Sequence, residues 1–344
     1  MFSPAELAER LAQDAEAVCR HYLSAGRRAG HYWLVGDVDN TRGASLYVHL
    51  AGPRAGRWTD AATGQFGDLL DLIRETCGLV DFRDVAFEAR RFLSLPRPEP
   101  RPPSRSGSHD SAAVVLPASE RARRLFRATQ PLAGTLADAY LSGRGILRGS
   151  DHAVLRFHAA CYYRDLVTGQ TSSYPALIAA VTGPGGEITG IHRCFLDPAG
   201  GGKARVDNPR RALGALLGNG VRFCFPLNAP IPVVAAGEGL ETVLSLSQVM
   251  PGMPMVAAPS ASHLAAFRFP PGCRRIYIAA DADAAGRHAI ERLSRRAQIC
   301  GMLPLVLSPE LSDFNEDLRW LGPDRMIASL RSQLTPEDAM TFMA

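Results

Sequence analysis

Two stretches of the sequence decide the fold, PVVAAGEGLET at residues 232–242 and RIYIAADADAAGR at residues 275–287. Each is an apolar run of strand length that stops at acidic residues and then changes to the spacing of a helix. A strand, an acid and a helix, occurring twice, predict an α/β layout with a parallel sheet. Because the carboxyl ends of parallel strands meet at one edge, we expect Glu238, Asp281 and Asp283 to lie together there.

Three carboxylates at one edge of a sheet repel one another unless a cation lies between them. Mg²⁺ and Mn²⁺ are hard ions that prefer oxygen ligands, and they keep water ligands that phosphate groups can replace. The sequence therefore predicts a site for Mg²⁺ or Mn²⁺ formed by Glu238, Asp281 and Asp283.

This pattern resembles the Toprim domain, the catalytic module shared by bacterial-type DNA primases, topoisomerases and some nucleases. Its hallmarks are a glutamate after the first strand and an Asp-x-Asp pair after a later strand. Glu238 matches the first, and Asp281 with Asp283 matches the second. A lone Asp-x-Asp pair is a weak signal, but both motifs in this order, each ending an apolar strand, are much more specific.

A third element strengthens the resemblance. The apolar run LPLVLS at residues 303–308 predicts a further strand, and SDFNEDL at residues 312–318 follows it. This second segment resembles the run that closes the domain in phage and plasmid primases. One residue is inserted relative to that run, so both Asp313 and Asp317 remain candidate metal ligands.

The region before these motifs resembles the subdomain that precedes Toprim in bacterial-type primases. There, an arginine at the end of a strand and a later lysine with an asparagine form the groove for nucleotide and template. The resemblance gives these roles to Arg193, Lys203 and Asn208, and Lys203 is the only lysine of the chain. Further basic or polar side chains for the groove are Arg156, Arg205, Arg210, Arg211 and His192.

Within the first 95 residues, residues 30–75 loosely resemble the zinc ribbon that opens bacterial-type primases. Where that ribbon has metal-binding cysteines, this chain has Asp60 and Thr63, so we expect no zinc. Two histidines without cysteines make a poor zinc site, although His31 and His49 could be residual ligands. The resemblance implies contact with the template, and we expect a domain packed around Trp33, Tyr47, Trp58 and Phe66.

These observations predict a chain of mixed α/β and α+β class. We expect a small N-terminal α+β domain over 1–95 and a Pro/Arg/Ser-rich linker over 96–113, whose composition cannot form a core. A mixed subdomain with the nucleotide and template groove would follow over 114–228, and the parallel-sheet Toprim domain over 229–344. A chain of 344 residues is long enough for domains of these sizes.

Composition indicates a cytoplasmic protein. The seven cysteines are scattered without a Cys-x-x-Cys pair, which is typical of reduced thiols. The start of the sequence has no basic region before an apolar segment, and no apolar run reaches the roughly 20 residues of a membrane span, so we expect neither secretion nor membrane insertion. The formal net charge of +4 permits an anionic partner.

The resemblance implies a DNA primase that makes short RNA primers on single-stranded DNA from nucleoside triphosphates. It also implies a separate helicase as partner, because the chain has no motif of a helicase motor, and an association with mobile genetic elements. Two alternatives stay open. One is a Toprim nuclease, although the chain has no ATPase loop of the Gly-x-x-x-x-Gly-Lys type; the other is a non-catalytic DNA-binding or regulatory protein on a Toprim scaffold.

Overall fold

The structure, a computed structural model, describes residues 4–60, 66–77, 79, 82–93, 118–164, 171–200, 202–206, 209–226, 229–279 and 284–343. The chain divides into two compact units, Met1–Val115 and Leu116–Ala344. The predicted linker 96–113 lies outside the described residues. Within the described residues, no helix combines the length and the apolar character that crossing a bilayer requires.

The N-terminal unit is an antiparallel sheet covered on one face by helices. Its helices are α1 (Pro4–Gln13), α2 (Ala15–Tyr22), α3 (Leu69–Thr76) and α4 (Phe82–Phe92). Its strands, in sheet order, are β1 (Arg27–Ala29), β2 (Tyr32–Val35), β3 (Leu46–His49), β4 (Trp58–Asp60) and β5 (Phe66–Gly67). Asp68 caps α3, where its side chain accepts hydrogen bonds from the amides of Leu70 and Asp71.

Two tryptophans form the centre of the N-terminal core, as predicted. Trp33 and Trp58 are buried, and their indole N–H groups donate to the backbone carbonyls of Leu23 and Asp68 at 3.0 and 2.9 Å. The same prediction is wrong for the two other rings. Tyr47 is only half-buried and Phe66 is 70% exposed, because cross-strand pairing puts both on the outer face of the sheet.

The C-terminal unit begins with an antiparallel sheet. Its strands, in sheet order, are β10 (Arg210–Gly214), β9 (Ile188–Phe195), β8 (Thr171–Thr182), β7 (Leu155–Arg164) and β6 (Gln130–Pro131). Helix α5 (Ala118–Arg127) precedes β6, and α6 (Leu136–Ser142) follows it. The hydroxyl of Thr135 caps α6 by accepting a hydrogen bond from the amide of Asp138.

The last sheet contains the predicted parallel strands. In sheet order its strands are β11 (Val221–Phe223), β13 (Met255–Ala258), β12 (Val233–Glu238), β14 (Arg275–Ala279) and β15 (Leu303–Leu307). Strands β12 to β15 pair in parallel, and β11 pairs antiparallel with β13. The helices are α7 (Leu240–Val249), α8 (Ala261–Ala265), α9 (Ala284–Ile299), α10 (Phe314–Glu316), α11 (Pro323–Arg331) and α12 (Pro336–Phe342). The predicted α/β class is confirmed.

A shared apolar core joins the two sheets of the C-terminal unit. It includes Leu177 and Cys194 from the antiparallel sheet together with Val243 of α7 and Tyr277 of β14. Helices α8 and α9 cover the other face of the parallel sheet, and α5 covers the other face of the antiparallel sheet. The division of this unit into separate domains at residue 228 stays a prediction.

Candidate active site

Glu238 ends the central strand of the parallel sheet, at the edge where ligands bind in folds of this type. Two glycines allow this position. Gly239 has φ of +79°, which turns the chain from β12 into α7. A Cβ atom on Gly237 would lie 2.6 Å from a methyl group of Val243, so only glycine lets α7 pack so closely on the strand. The motif therefore places the Glu238 carboxylate at the start of a helix.

A cavity of about 300 Å³ opens beside Glu238. Its charged lining side chains are Arg144, Lys203, Arg210, Glu238, Glu241 and Asp313. Arg144 follows α6, Lys203 lies in the loop between β9 and β10, and Arg210 begins β10. The three carboxylates lie at the end of β12, in the first turn of α7 and just before α10. Three cations and three carboxylates thus share one polar cavity, and it brings Lys203 and Glu238 together as the sequence predicts.

Lys203 forms an ion pair inside this cavity. Its Nζ lies 2.8 Å from Oε1 of Glu241, and the Tyr140 hydroxyl donates to the same oxygen at 2.7 Å. Burial by itself would raise the pKa of Glu241, but Lys203, Tyr140 and Arg210 outweigh it and lower the pKa to about 2. Glu241 is therefore a fixed negative charge at neutral pH.

His192 is buried near this ion pair. Its pKa is lowered to about 4, mainly by burial; Glu241 opposes this shift, and the charges of Arg210, Lys203 and Arg193 contribute to it. The imidazole is therefore neutral at physiological pH. A neutral ring adds no positive charge to the neighbouring cavity.

Asp313 and Asp317 have different surroundings. Asp313 lines the cavity and caps α10, where Oδ1 accepts from the amide of Glu316 at 2.7 Å. Asp317 is buried, and its two carboxylate oxygens accept from the amides of Glu310 and Leu311, both at 2.8 Å. Only Asp313 of this pair lines the cavity.

Arg193 and Arg156 lie on the opposite face of the antiparallel sheet. Cross-strand pairing aligns Arg156 with Ile178 and Ile178 with Arg193, so all three side chains are on the face that packs against α5. The Arg156 guanidinium donates to the backbone carbonyl of Thr129 at 3.0 Å. Neither arginine lines the cavity that contains Lys203, and neither does Arg205, which is exposed on its loop.

Three of the predicted site residues, Asp281, Asp283 and Asn208, lie outside the described residues, as does Thr63. Asp281 and Asp283 follow β14, which pairs in parallel with β12, the strand that ends at Glu238. Among the residues that the structure describes, no three side chains of His, Cys, Asp or Glu are grouped to hold a metal ion.

Two family models match the C-terminal unit. Residues 117–223 match a domain of unknown function, DUF7146. Residues 233–324 match the Toprim domain. This segment is therefore similar in sequence to that domain. It contains Glu238, Glu241 and Asp313, so the cavity lies at the carboxyl edge of the Toprim sheet. No protein with a curated description matches the chain.

Solved structures of primases are similar to this chain at low identity. The zinc-binding and RNA polymerase domains of Aquifex aeolicus primase are 15% identical over 97% of this chain and 86% of that one, with a TM-score of 0.42. A DNA primase domain from Pseudomonas aeruginosa is 18% identical over 63% and 79%, with a TM-score of 0.42. The primase fragment of the bacteriophage T7 primase-helicase is 19% identical over 56% and 72%, with a TM-score of 0.40.

Several residues of the candidate active site could not be identified from the sequence. Glu241 stands three residues after Glu238, but its partner Tyr140 comes from α6, about a hundred residues earlier. Arg144 is held by Asn315, whose side-chain amide donates to the Arg144 carbonyl at 2.8 Å. Such contacts between distant segments leave no local pattern in the sequence. The one signal in the sequence is Glu241 itself, the second acid of the stretch 232–242.

Proposed function

We propose that this protein is a DNA primase that synthesises short RNA primers on single-stranded DNA by metal-dependent nucleotidyl transfer. One observation carries the proposal. A Toprim domain presents Glu238 in a cavity together with Lys203, Arg144 and Arg210. Carboxylates beside phosphate-binding cations are what transfer of a nucleotide from a triphosphate requires.

The donor chemistry of the cavity fits Mg²⁺ or Mn²⁺. Glu238 and Asp313 offer carboxylate oxygens, the ligands that these hard ions prefer. We assign Asp281 and Asp283 to the same ligand set, because they follow the strand next to β12. We leave Asp317 out of it, since both of its oxygens accept backbone amides. When bound, such an ion neutralises charge that develops on the reacting phosphate.

The protein side chains have separate roles in the proposed reaction. Lys203, Arg144 and Arg210 bind the phosphates of the incoming triphosphate. The 3′-hydroxyl of the growing primer attacks the α-phosphorus, the bond to pyrophosphate breaks, and Glu238 either accepts the hydroxyl proton or serves as a metal ligand. Arg205 and Asn208 are assigned to the template. Single-stranded DNA and a separate helicase are the proposed partners, in the cytoplasm, with an origin in a mobile genetic element.

The first test removes the carboxylates. We expect Glu238→Ala and Asp281→Ala to lower primer synthesis by on the order of a thousandfold, because both act on the reacting groups. Synthesis is measured by incorporation of labelled nucleotides on single-stranded DNA with Mg²⁺, and circular dichroism checks the fold. Asp324→Asn, a change of an exposed carboxylate on α11, is the matched control and should keep full activity.

The same assay distinguishes the alternatives. Full activity in both carboxylate variants would contradict the catalytic assignment. Shortening of the DNA by the wild-type protein without nucleoside triphosphates would indicate a nuclease. Binding of DNA without any metal-dependent turnover would indicate a non-catalytic protein on a Toprim scaffold.

A further inference from the structure

Lys203 stands on a loop that does little to fix its side chain. Gly200 and Gly202, with φ of +84° and +117°, precede it. An isolated bridge between Lys203 and Leu196 holds the backbone at this point. A lysine side chain has four rotatable bonds and loses up to about 2 kcal/mol of rotamer entropy when it is fixed. A contact with its ammonium group is therefore needed to hold it at one place.

Glu241 supplies that contact. It lies in the first turn of α7, and its side chain is only 12% exposed. One carboxylate oxygen accepts both from Lys203 at 2.8 Å and from Tyr140 at 2.7 Å. The Tyr140 ring also lies under the guanidinium of Arg144, 5.7 Å from its centroid. Tyr140 thus holds the carboxylate oxygen that Lys203 contacts, and Arg144 packs on the Tyr140 ring.

The ion pair leaves Lys203 able to bind a ligand. An ammonium group has three N–H donors, and a single carboxylate oxygen takes one of them. The Lys203 side chain remains 21% exposed and lines the cavity with Glu238. In protein kinases, a lysine that must be paired with a glutamate is likewise required for transfer of the phosphoryl group.

We propose that Glu241 is a positioning residue, which holds the Lys203 ammonium in the cavity for the phosphates of a nucleoside triphosphate, and that Tyr140 orients Glu241. The proposal deepens the proposed function and rests on it for the identity of the ligand. Glu241 acts through Lys203 and does not touch the reacting atoms. Its role is to turn a mobile cation into a fixed one.

The only lysine of the chain makes a direct test possible. Acylation of Lys203 by an amine-reactive ester is followed by mass spectrometry, with the N-terminal amine as internal reference. We expect Glu241→Ala to speed acylation about tenfold, the effect of losing one hydrogen bond to a charged group. Glu241→Gln and Tyr140→Phe should give smaller increases. Asp151→Asn removes an ion pair with Arg148, in which both side chains are more than half exposed, and should match the wild type.

Steady-state kinetics give the second readout. Glu241→Ala should raise KM for the triphosphate about tenfold with a smaller change in kcat, because ground-state placement of the phosphates is lost. Tyr140→Phe should change KM in the same direction and keeps the test valid if Glu241→Ala does not fold. Unchanged acylation in the Glu241 and Tyr140 variants would overturn the proposal. So would a lower KM, which would mean that Glu241 competes with phosphate for Lys203.

Failure of this proposal differs from failure of the proposed function. Acylation of Lys203 and its protection by added triphosphate require no turnover. A wild-type protein that shows this protection but makes no primer would contradict the primase assignment and leave the role of Glu241 standing. A working primase whose Glu241 variants acylate like the wild type would contradict the role of Glu241 and leave the primase assignment standing.

Discussion

Asp313 and Asp317 stand four residues apart, yet the structure predicts opposite effects of changing them. Asp317→Asn should destabilise the fold by about 1–3 kcal/mol. In the wild type, two backbone N–H groups donate to the Asp317 carboxylate, and the NH₂ group of the new asparagine could not accept from either of them. Asp313→Asn should leave stability nearly unchanged, since asparagine caps a helix as well as aspartate does. It should nevertheless lower primer synthesis, because Asp313 contributes a charge to the cavity.

Thermal unfolding and primer synthesis, measured on both variants, check this pair. The expected pattern is a lower melting temperature with Asp317→Asn and lower activity at normal stability with Asp313→Asn. The reverse pattern would mean that Asp317, and not Asp313, is the acid of the catalytic site. The inserted residue left both aspartates open as metal ligands in the sequence, and the surroundings of each carboxylate favour Asp313.

At the scale of helices and strands, much of the Toprim sheet could be predicted from the sequence. Strands β12 and β14 are buried apolar runs and β15 is an apolar run at the edge of the sheet, all with clear ends, and such runs are local features. The face to which Arg193 points could not be predicted. It depends on the register of β9 against two neighbouring strands, and a shift of one residue reverses every side chain. Register is set by packing between distant segments, which no local pattern contains.

The outer face of the N-terminal sheet leads to a prediction about this element. Tyr32, Tyr47 and His49 form a cluster with ring centroids 4.9 to 6.0 Å apart, and Phe66 lies two strands from Tyr47 on the same face. Among the described strand residues on this face, which also include Arg27, none is acidic. Exposed rings beside cations are typical of surfaces that stack the bases of single-stranded nucleic acid.

We therefore expect Tyr32→Ala and Phe66→Ala each to weaken binding of single-stranded DNA roughly tenfold, since stacking contributes about 1–3 kcal/mol per base. Fluorescence anisotropy with a labelled oligonucleotide measures the change. Phe87→Ala removes a ring of similar exposure from α4 and is the matched control. If Tyr32→Ala and Phe66→Ala bind DNA as tightly as Phe87→Ala and the wild type, the outer face of the sheet takes no part in template contact.

At the scale of the whole molecule, the two units build their cores from their own residues. The buried cluster of the N-terminal unit runs from Leu7 to Ala89. The clusters of the C-terminal unit begin at Ala122 and extend to Met343. A segment that contains a complete apolar core is expected to fold without the rest of the chain. The C-terminal unit also contains every residue that lines the candidate active site.

A fragment of residues 116–344 should therefore fold and unfold cooperatively by itself and bind the triphosphate with the affinity of the intact chain. It should bind single-stranded DNA more weakly, because it lacks the exposed rings of the N-terminal sheet. Calorimetry, protection of Lys203 from acylation and anisotropy measure the three properties. A fragment that folds and protects Lys203 but binds DNA as tightly as the intact chain would place the whole template contact in the C-terminal unit. A fragment that cannot fold would show that the core of the C-terminal unit is insufficient without the first 115 residues.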